Sequence, residues 1–250
     1  MEVINIKSNK GILTVKWSDI ENLSVYSGSQ AGCYGSTVDL DNPKLLHQRH
    51  FEKWHTYCWL TRQRLGVFDI PDNAKVLDIG SGLGVVDLLL YSYANNCKLH
   101  LLDKEEHNHI GDELSSSDVS YTIDHPFYHS WAPIKDAIQT SGFDKNRFTF
   151  MSPDDLFPED VDLLLSSFSW CFHYPKEVYW KRAVQSLKKG GKLYLDVRQL
   201  ADRDVIGEIS EELKCEPKTL VIPKLKEHHD LFPNGDPNIT GYQCLWTNNA

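Results

Sequence analysis

The chain has 250 residues, 41% of them hydrophobic, and carries a formal net charge of -9 at pH 7. That length buries one full core and a smaller appendage without requiring a second independent domain. The acidic balance disfavours a broad nucleic-acid surface, because phosphate binding draws on clustered Lys and Arg to release counterions. The six cysteines, at positions 33, 58, 97, 171, 215 and 244, contain no CxxC pair, which argues against a zinc knuckle or a disulfide framework. They read as the reduced thiols of a cytoplasmic protein. No hydrophobic h-region marks Met1 to Lys10, and the aliphatic run near Leu163 is too short to span a bilayer, so neither targeting nor membrane insertion is expected.

In chain order, Val3, Ile4 and Ile6 and then Ile12, Leu13, Val15 and Trp17 form two β-prone runs around Ser8-Asn9-Lys10-Gly11, a hairpin signal. A Gly-, Ser- and Asp-rich loop from Tyr26 to Pro43 follows, ending in Asp41-Asn42-Pro43, which cap a helix from Lys44 to about Leu65. Within it His47, Arg49, His50 and Lys53 form the best local basic patch, whose plain alternative is a solvated helix face. Residues 1–68 therefore read as an N-terminal hairpin, loop and helix cap, and residues 69–250 as the main domain. Beyond Pro71 short aliphatic strands alternate with helical stretches, the order of a parallel sheet covered by helices. The expected strands are Lys75 to Ile79, Leu99 to Leu102, Phe148 to Met151, Val161 to Ser166 and Lys192 to Val197. Two more, Thr219 to Ile222 and Tyr242 to Trp246, close the chain.

Val76-Leu77-Asp78-Ile79-Gly80-Ser81-Gly82-Leu83-Gly84 is a buried strand running into a tight glycine turn, followed by a helix from Val85 to Tyr91. Such a turn lets a nucleotide approach the backbone without Cβ collisions, although many α/β proteins use one simply to turn sharply. Asp78 places a carboxylate where a pyrophosphate would be repelled and a cationic group welcomed. Leu99-His100-Leu101-Leu102-Asp103 is a second strand ending in an acid, placed to accept both hydroxyls of a ribose. Leu187-Lys188-Lys189-Gly190-Gly191-Lys192-Leu193 reads as a helix end, a double-glycine turn and a new strand, with an ordinary helix C-cap as its plain alternative.

In order and approximate spacing, DIGSGLG, the LLD strand end, Val161 to Pro175 and LKKGG resemble the class I S-adenosylmethionine-dependent methyltransferases, over roughly Asp69 to the C-terminus. The resemblance implies an α/β fold: a Rossmann-like, mostly parallel seven-stranded sheet with helices on both faces and an antiparallel C-terminal hairpin, here carrying the N-terminal hairpin and helix as a cap. It implies S-adenosyl-L-methionine as cofactor, with Asp78, Gly80, Ser81, Gly82 and Gly84 around its amino-acid part and Asp103 on its ribose. Ser167 and Phe168, after the fourth strand, would border the cofactor. One departure stands out: Ser152 and Pro153 occupy the positions where the family places an adenine-binding acid and a backbone donor, and proline has no N–H. Asp154 is the candidate substitute, its alternative being a helix N-terminal carboxylate.

Methyl transfer is an in-line displacement, so the protein must align the acceptor, exclude water and, for a hydroxyl acceptor, remove a proton. His173, in Ser166 to Pro175, is the first candidate base, against a packed or capping histidine. That segment lacks the Asp/Asn-Pro-Pro-aromatic pattern of enzymes that methylate exocyclic base amines. His125 and His129, in the aromatic stretch Asp124 to Trp131, are further candidates on a lid or pocket loop, against an aromatic loop packed on the cap helix. His107, Asn108, His109 and Asp112 make a weak metal set, and no metal is expected. The expectation is thus a methyltransferase of a small-molecule hydroxyl, such as a sugar or metabolite, with nucleic acid and membrane partners disfavoured and oligomeric state open. The alternatives are a protein or nucleic-acid methyltransferase, a non-catalytic cofactor-binding module, and a nicotinamide-dependent oxidoreductase.

Overall fold

The computed structural model describes residues 3–8, 11–16, 62, 64–82, 84–103, 131, 134–135, 138–139, 142–167, 169–172, 174–198, 203–221 and 241–250. The expected hairpin is present: β1 (Val3–Ser8) and β2 (Gly11–Lys16) pair antiparallel in a two-stranded sheet of their own, with Ser8 opposite Gly11. Most of the cap loop and helix lies outside the described residues. Arg62, Arg64 and Leu65 are helical, and Gly66, at φ 77°, ends that helix by letting Val67 N–H reach back to Arg62 O at 3.0 Å. Leu65, Val67 and Phe68 are buried in the same core as the main sheet, so the helix end belongs to that core.

The main sheet contains β3 (Lys75–Ile79), β4 (Lys98–Leu102), β5 (Phe148–Met151), β6 (Val161–Ser166), β7 (Leu187–Arg198), β8 (Lys218–Val221) and β9 (Gly241–Thr247). Its order is β5-β4-β3-β6-β7-β9-β8, parallel throughout except for β9, which runs antiparallel to both neighbours. This is the expected seven-stranded, mostly parallel sheet with an antiparallel C-terminal pair. Both faces are covered, so strand residues alternate between two cores. Val76, Leu99, Leu101, Leu163 and Leu165 face one core with α1 (Val85–Tyr93), while Leu77, Ile79, Leu164, Leu193 and Leu195 face the other with α2 (Trp180–Ser186) and α3 (Val205–Leu213).

One expectation is refined and one alternative is settled. The LKKGG segment opens β7, but as a bulge and not as regular strand: α2 ends at Ser186 with Leu187 as its C-cap, Gly190 turns with φ 77°, and the pairing with β6 jumps from Val161–Leu187 to Leu163–Lys192, so the helix end, glycine turn and new strand follow one another as expected. Asn248 ties the bulge to the sheet: its side-chain amide donates to Leu187 O and Lys188 O at 3.1 and 3.2 Å, and its backbone exchanges bonds with Gly190 and Gly191. Pro153 to Asp155 is a turn, with Ser152 N–H donating to Asp155 Oδ2 at 2.7 Å, so Asp154 stands at no helix N-terminus. Among the described residues no helix is long and apolar enough to cross a membrane.

β3 and β6 are neighbours whose following connections leave toward opposite sides of the sheet, opening the crevice where α/β proteins bind ligands. Ser166, fully buried, holds that point: its hydroxyl donates to Ile79 O at 2.7 Å and accepts from Trp170 N–H at 2.9 Å. Ser166→Ala leaves a buried carbonyl and a buried N–H without partners, and urea denaturation is expected to show a loss of about 1–3 kcal/mol.

Candidate functional site

The crevice is built on a turn that spends its own hydrogen-bond donors. Gly80 N–H donates to Leu102 O at 2.7 Å, Ser81 N–H to the same oxygen at 3.2 Å, and Gly84 N–H to Ser81 O at 2.9 Å. Gly82 N–H donates to Asp103 Oδ2 at 2.7 Å, so the acid at the end of β4 pins the turn from beside it. Gly80, Gly82 and Gly84 all have positive φ, at 73°, 54° and 63°. A Cβ on Gly80 would collide with the Ser169 side chain, and one on Gly84 with Ile134 and, at 2.9 Å, with Leu101 Cδ2. Gly84 is the N-cap of α1, and its missing side chain lets that helix pack against Ile134 and Leu101.

Acidic groups outnumber basic ones around this turn. Asp78 is 2% exposed, and burial pushes its carboxyl up to about 7; Arg62 opposes that shift, while Asp103 and Asp196 add to it. Asp87, in the first turn of α1, is fully buried and lies against Asp78, and burial followed by the Asp78 charge pushes it well above the carboxylate range. Arg62 supplies the facing cation: its guanidinium donates to Ser167 Oγ, lies 4.0 Å from Asp196 Oδ2 and sits over the Tyr194 ring. Tyr194 O–H donates to Asp196 Oδ1 at 2.6 Å. Beyond Asp103, Tyr179 is half-buried; burial and then the Asp103 charge raise its phenol, with Asp154 a smaller contributor on the same side.

Chemically, a turn whose described amides, those of Gly80, Ser81, Gly82 and Gly84, are engaged has little to offer a phosphate, and four acids that can ionise against one guanidinium among the described residues favour a cationic ligand. Asp78 lies just beneath the turn, where an ionised carboxylate would favour a ligand bearing an ammonium or sulfonium. The residues present thus fit S-adenosylmethionine better than a dinucleotide.

No protein family matches the sequence and no curated protein matches it. Among solved structures, the chain is similar to a SAM dependent methyltransferase from Aquifex aeolicus, at 13% identity over 75% of this chain and 88% of that one, TM-score 0.46. It is also similar to a 1,6-didemethyltoxoflavin-N1-methyltransferase from Burkholderia thailandensis, solved with bound 1,6-didemethyltoxoflavin and S-adenosylhomocysteine (16% identity, 72% of each chain, TM-score 0.46). A third is an rRNA methylase from Streptococcus thermophilus (10% identity, 74% of this chain and 92% of that one, TM-score 0.45). The chain resembles S-adenosylmethionine-dependent methyltransferases of solved structure.

Of the residues expected at the site, Asp78, Gly80, Ser81, Gly82, Asp103 and Ser167 gather at the ends of β3, β4 and β6. Asp154 lies exposed on the turn after β5. Phe168, His173, His125 and His129 are outside the described residues, as are the basic patch from His47 to Lys53 and the set from His107 to Asp112. Trp131, from the same aromatic stretch as His125 and His129, is buried against Phe150 of β5, its ring 4.9 Å away. No group of His, Cys, Asp and Glu among the described residues could hold a metal ion. Sequence reasoning missed Asp87, Arg62 and Asp196. The signal for Asp196 was available, since an acid inside the run Leu193 to Val197 needs a partner once that strand is buried.

Gly84→Ala forces an L side chain into a left-handed backbone and into Ile134 and Leu101. It is expected to destabilise the protein by about 1–3 kcal/mol in urea denaturation, or to prevent folding.

Proposed function

We propose that the chain is an S-adenosylmethionine-dependent methyltransferase acting on a hydroxyl of a small molecule such as a sugar or metabolite. The observation that carries the reading is the glycine turn, which surrenders its amides to Leu102, Ser81 and Asp103 and sits on the buried acid Asp78. A phosphate site built on the same strand–turn–helix would present those amides to the ligand, which weakens the nicotinamide-dependent alternative. The cofactor, when bound, supplies an electrophilic methyl group on a sulfonium. Asp78 favours the cationic amino-acid end, and Asp103, held by Gly82 N–H through Oδ2, presents its carboxylate toward the ribose. Ser152 N–H is taken by Asp155, so neither it nor Pro153 offers a backbone donor to the adenine ring. Asp154, exposed on that turn, takes the adenine side.

For the acceptor, the segment after β6 supplies the proton-accepting candidate, His173, between Phe172 and Tyr174. Of its described neighbours, Cys171 has φ 64° and its N–H donates to Tyr174 O at 2.9 Å. His125 and His129 are the other candidate bases, on the insertion after β4. The acidic overall charge supports a small acceptor over a polynucleotide.

Calorimetry with S-adenosylmethionine tests the cofactor assignment. Binding to the parent is expected, and its loss in folded Asp103→Ala and Gly82→Val. A parent that is folded and does not bind, or binding indifferent to both substitutions, overturns the reading. Once an acceptor is in hand, His173→Gln is expected to lower kcat by about two to four orders of magnitude with little change in cofactor affinity.

A further inference from the structure

Asp78 and Asp87 come from different elements, the end of β3 and the first turn of α1, and meet under the glycine turn. Asp87 has no exposed surface and Asp78 almost none. Both oxygens of Asp87 and Oδ1 of Asp78 are buried without a well-formed bond from an N–H or hydroxyl among the described residues; Asp87 has its own backbone N–H as a weaker neighbour, and the main partner of each carboxyl is the other. Two carboxylates accept and cannot donate. A hydrogen bond between them exists only if one carries a proton, and leaving both ionised would put two uncompensated charges side by side in the interior. The groups facing the pair do not relieve this: Asp103 after β4 and Asp196 on β7 are acids, and Arg62 from the N-terminal helix is the one described cation that opposes them.

We infer that Asp87 is a proton-holding positioning residue behind Asp78, and that binding of the cofactor's cationic end expels a proton from the pair to solvent. The inference rests on the methyltransferase reading for the identity of the ligand. In the free protein at mildly acid pH both carboxyls are protonated. A positive charge arriving at the turn stabilises ionised Asp78; the O–H bond of Asp78 breaks, its proton leaves to buffer, and Asp87 keeps its own and donates it to the Asp78 carboxylate. The charge gained by the protein offsets the charge brought by the ligand. Cofactor affinity is therefore linked to pH across the range in which the free pair loses its first proton, which burial places about 7. The sign follows from that linkage: below this range binding must displace a proton and is weaker, and above it the site is already ionised.

The test is calorimetry with S-adenosylhomocysteine, which keeps the amino-acid end, in phosphate and in imidazole at matched pH, the difference in heat counting protons. Release is expected to be about one proton at pH 6, about half at pH 7 and near zero at pH 8, with affinity rising about tenfold across that span. In Asp87→Asn the carboxamide donates permanently to Asp78, so release vanishes and affinity becomes flat with pH. Binding by the parent without proton release, or release unchanged in folded Asp87→Asn, overturns the inference while leaving the proposed function intact. A second readout needs no ligand. Acids whose pKa is raised by folding stabilise the protein below their unfolded pKa and lose that contribution as pH rises through the folded value. The urea midpoint of Asp87→Asn is therefore expected to gain on the parent as pH rises from about 5 to about 8. A constant difference between the two midpoints over that range overturns the shared proton even if no cofactor binds.

Discussion

The hydroxyl of Ser166 holds the architecture at its weakest place. Where β3 and β6 part, Ile79 O lies past the last residue pair that β3 makes with β6, and the chain after β6 must turn away without unravelling. One oxygen answers both needs, donating across to Ile79 and accepting from Trp170 four residues on. With the strand ends fixed there, the glycine turn can be stitched to the end of β4, α1 can start at Gly84 over the sheet, and the segment toward Trp170 can pass close to Gly80. That passage is tight enough that Ser169 occupies the space a side chain on Gly80 would need.

On that frame the charge distribution separates two sites that share a strand–turn–helix outline. A phosphate site spends amides on its ligand and keeps acids away. Here the amides are spent internally, on Leu102, Ser81 and Asp103, and acids stand on the strand ends and the first turn of α1. Arg62 reaches into this acidic ground from the preceding helix, bridging Ser167 and Asp196. The segment before β3 thereby contributes to the crevice and also to the core, through Leu65, Val67 and Phe68. Lys192 of β7 reinforces the attachment by donating to Gly66 O at 3.1 Å.

The parallel strands were readable in the sequence because burial on both faces writes them as short, predominantly apolar runs. Lys75–Ile79, Phe148–Met151 and Val161–Ser166 agree with the expected bounds to the residue. The glycine turn and Asp103 were readable because backbone geometry there admits few residues. Asp87 was not, since an acid in the first turn of a helix ordinarily caps or faces water, and its burial depends on which side of α1 meets the sheet. Arg62 was read as part of a helix whose contacts no local pattern reveals. The LKKGG glycines were readable as a turn, and Gly190 does turn, but that the turn sits as a bulge at the start of β7 depends on Asn248, far along the chain.

The place of β9 has a consequence for how the chain acquires its structure. It lies between β7 and β8, both of which precede it, so β8 has no sheet to join until Gly241–Thr247 has arrived. The far edge of the sheet therefore closes by insertion of a strand between two waiting partners, a step made of contacts distant along the chain and slow for that reason. Until it is complete, Cys244 and Trp246 are missing from the core against α3, and one side of β7 has its peptide groups open to solvent or to another chain. Fast synthesis at high concentration is the condition under which that edge finds the wrong partner.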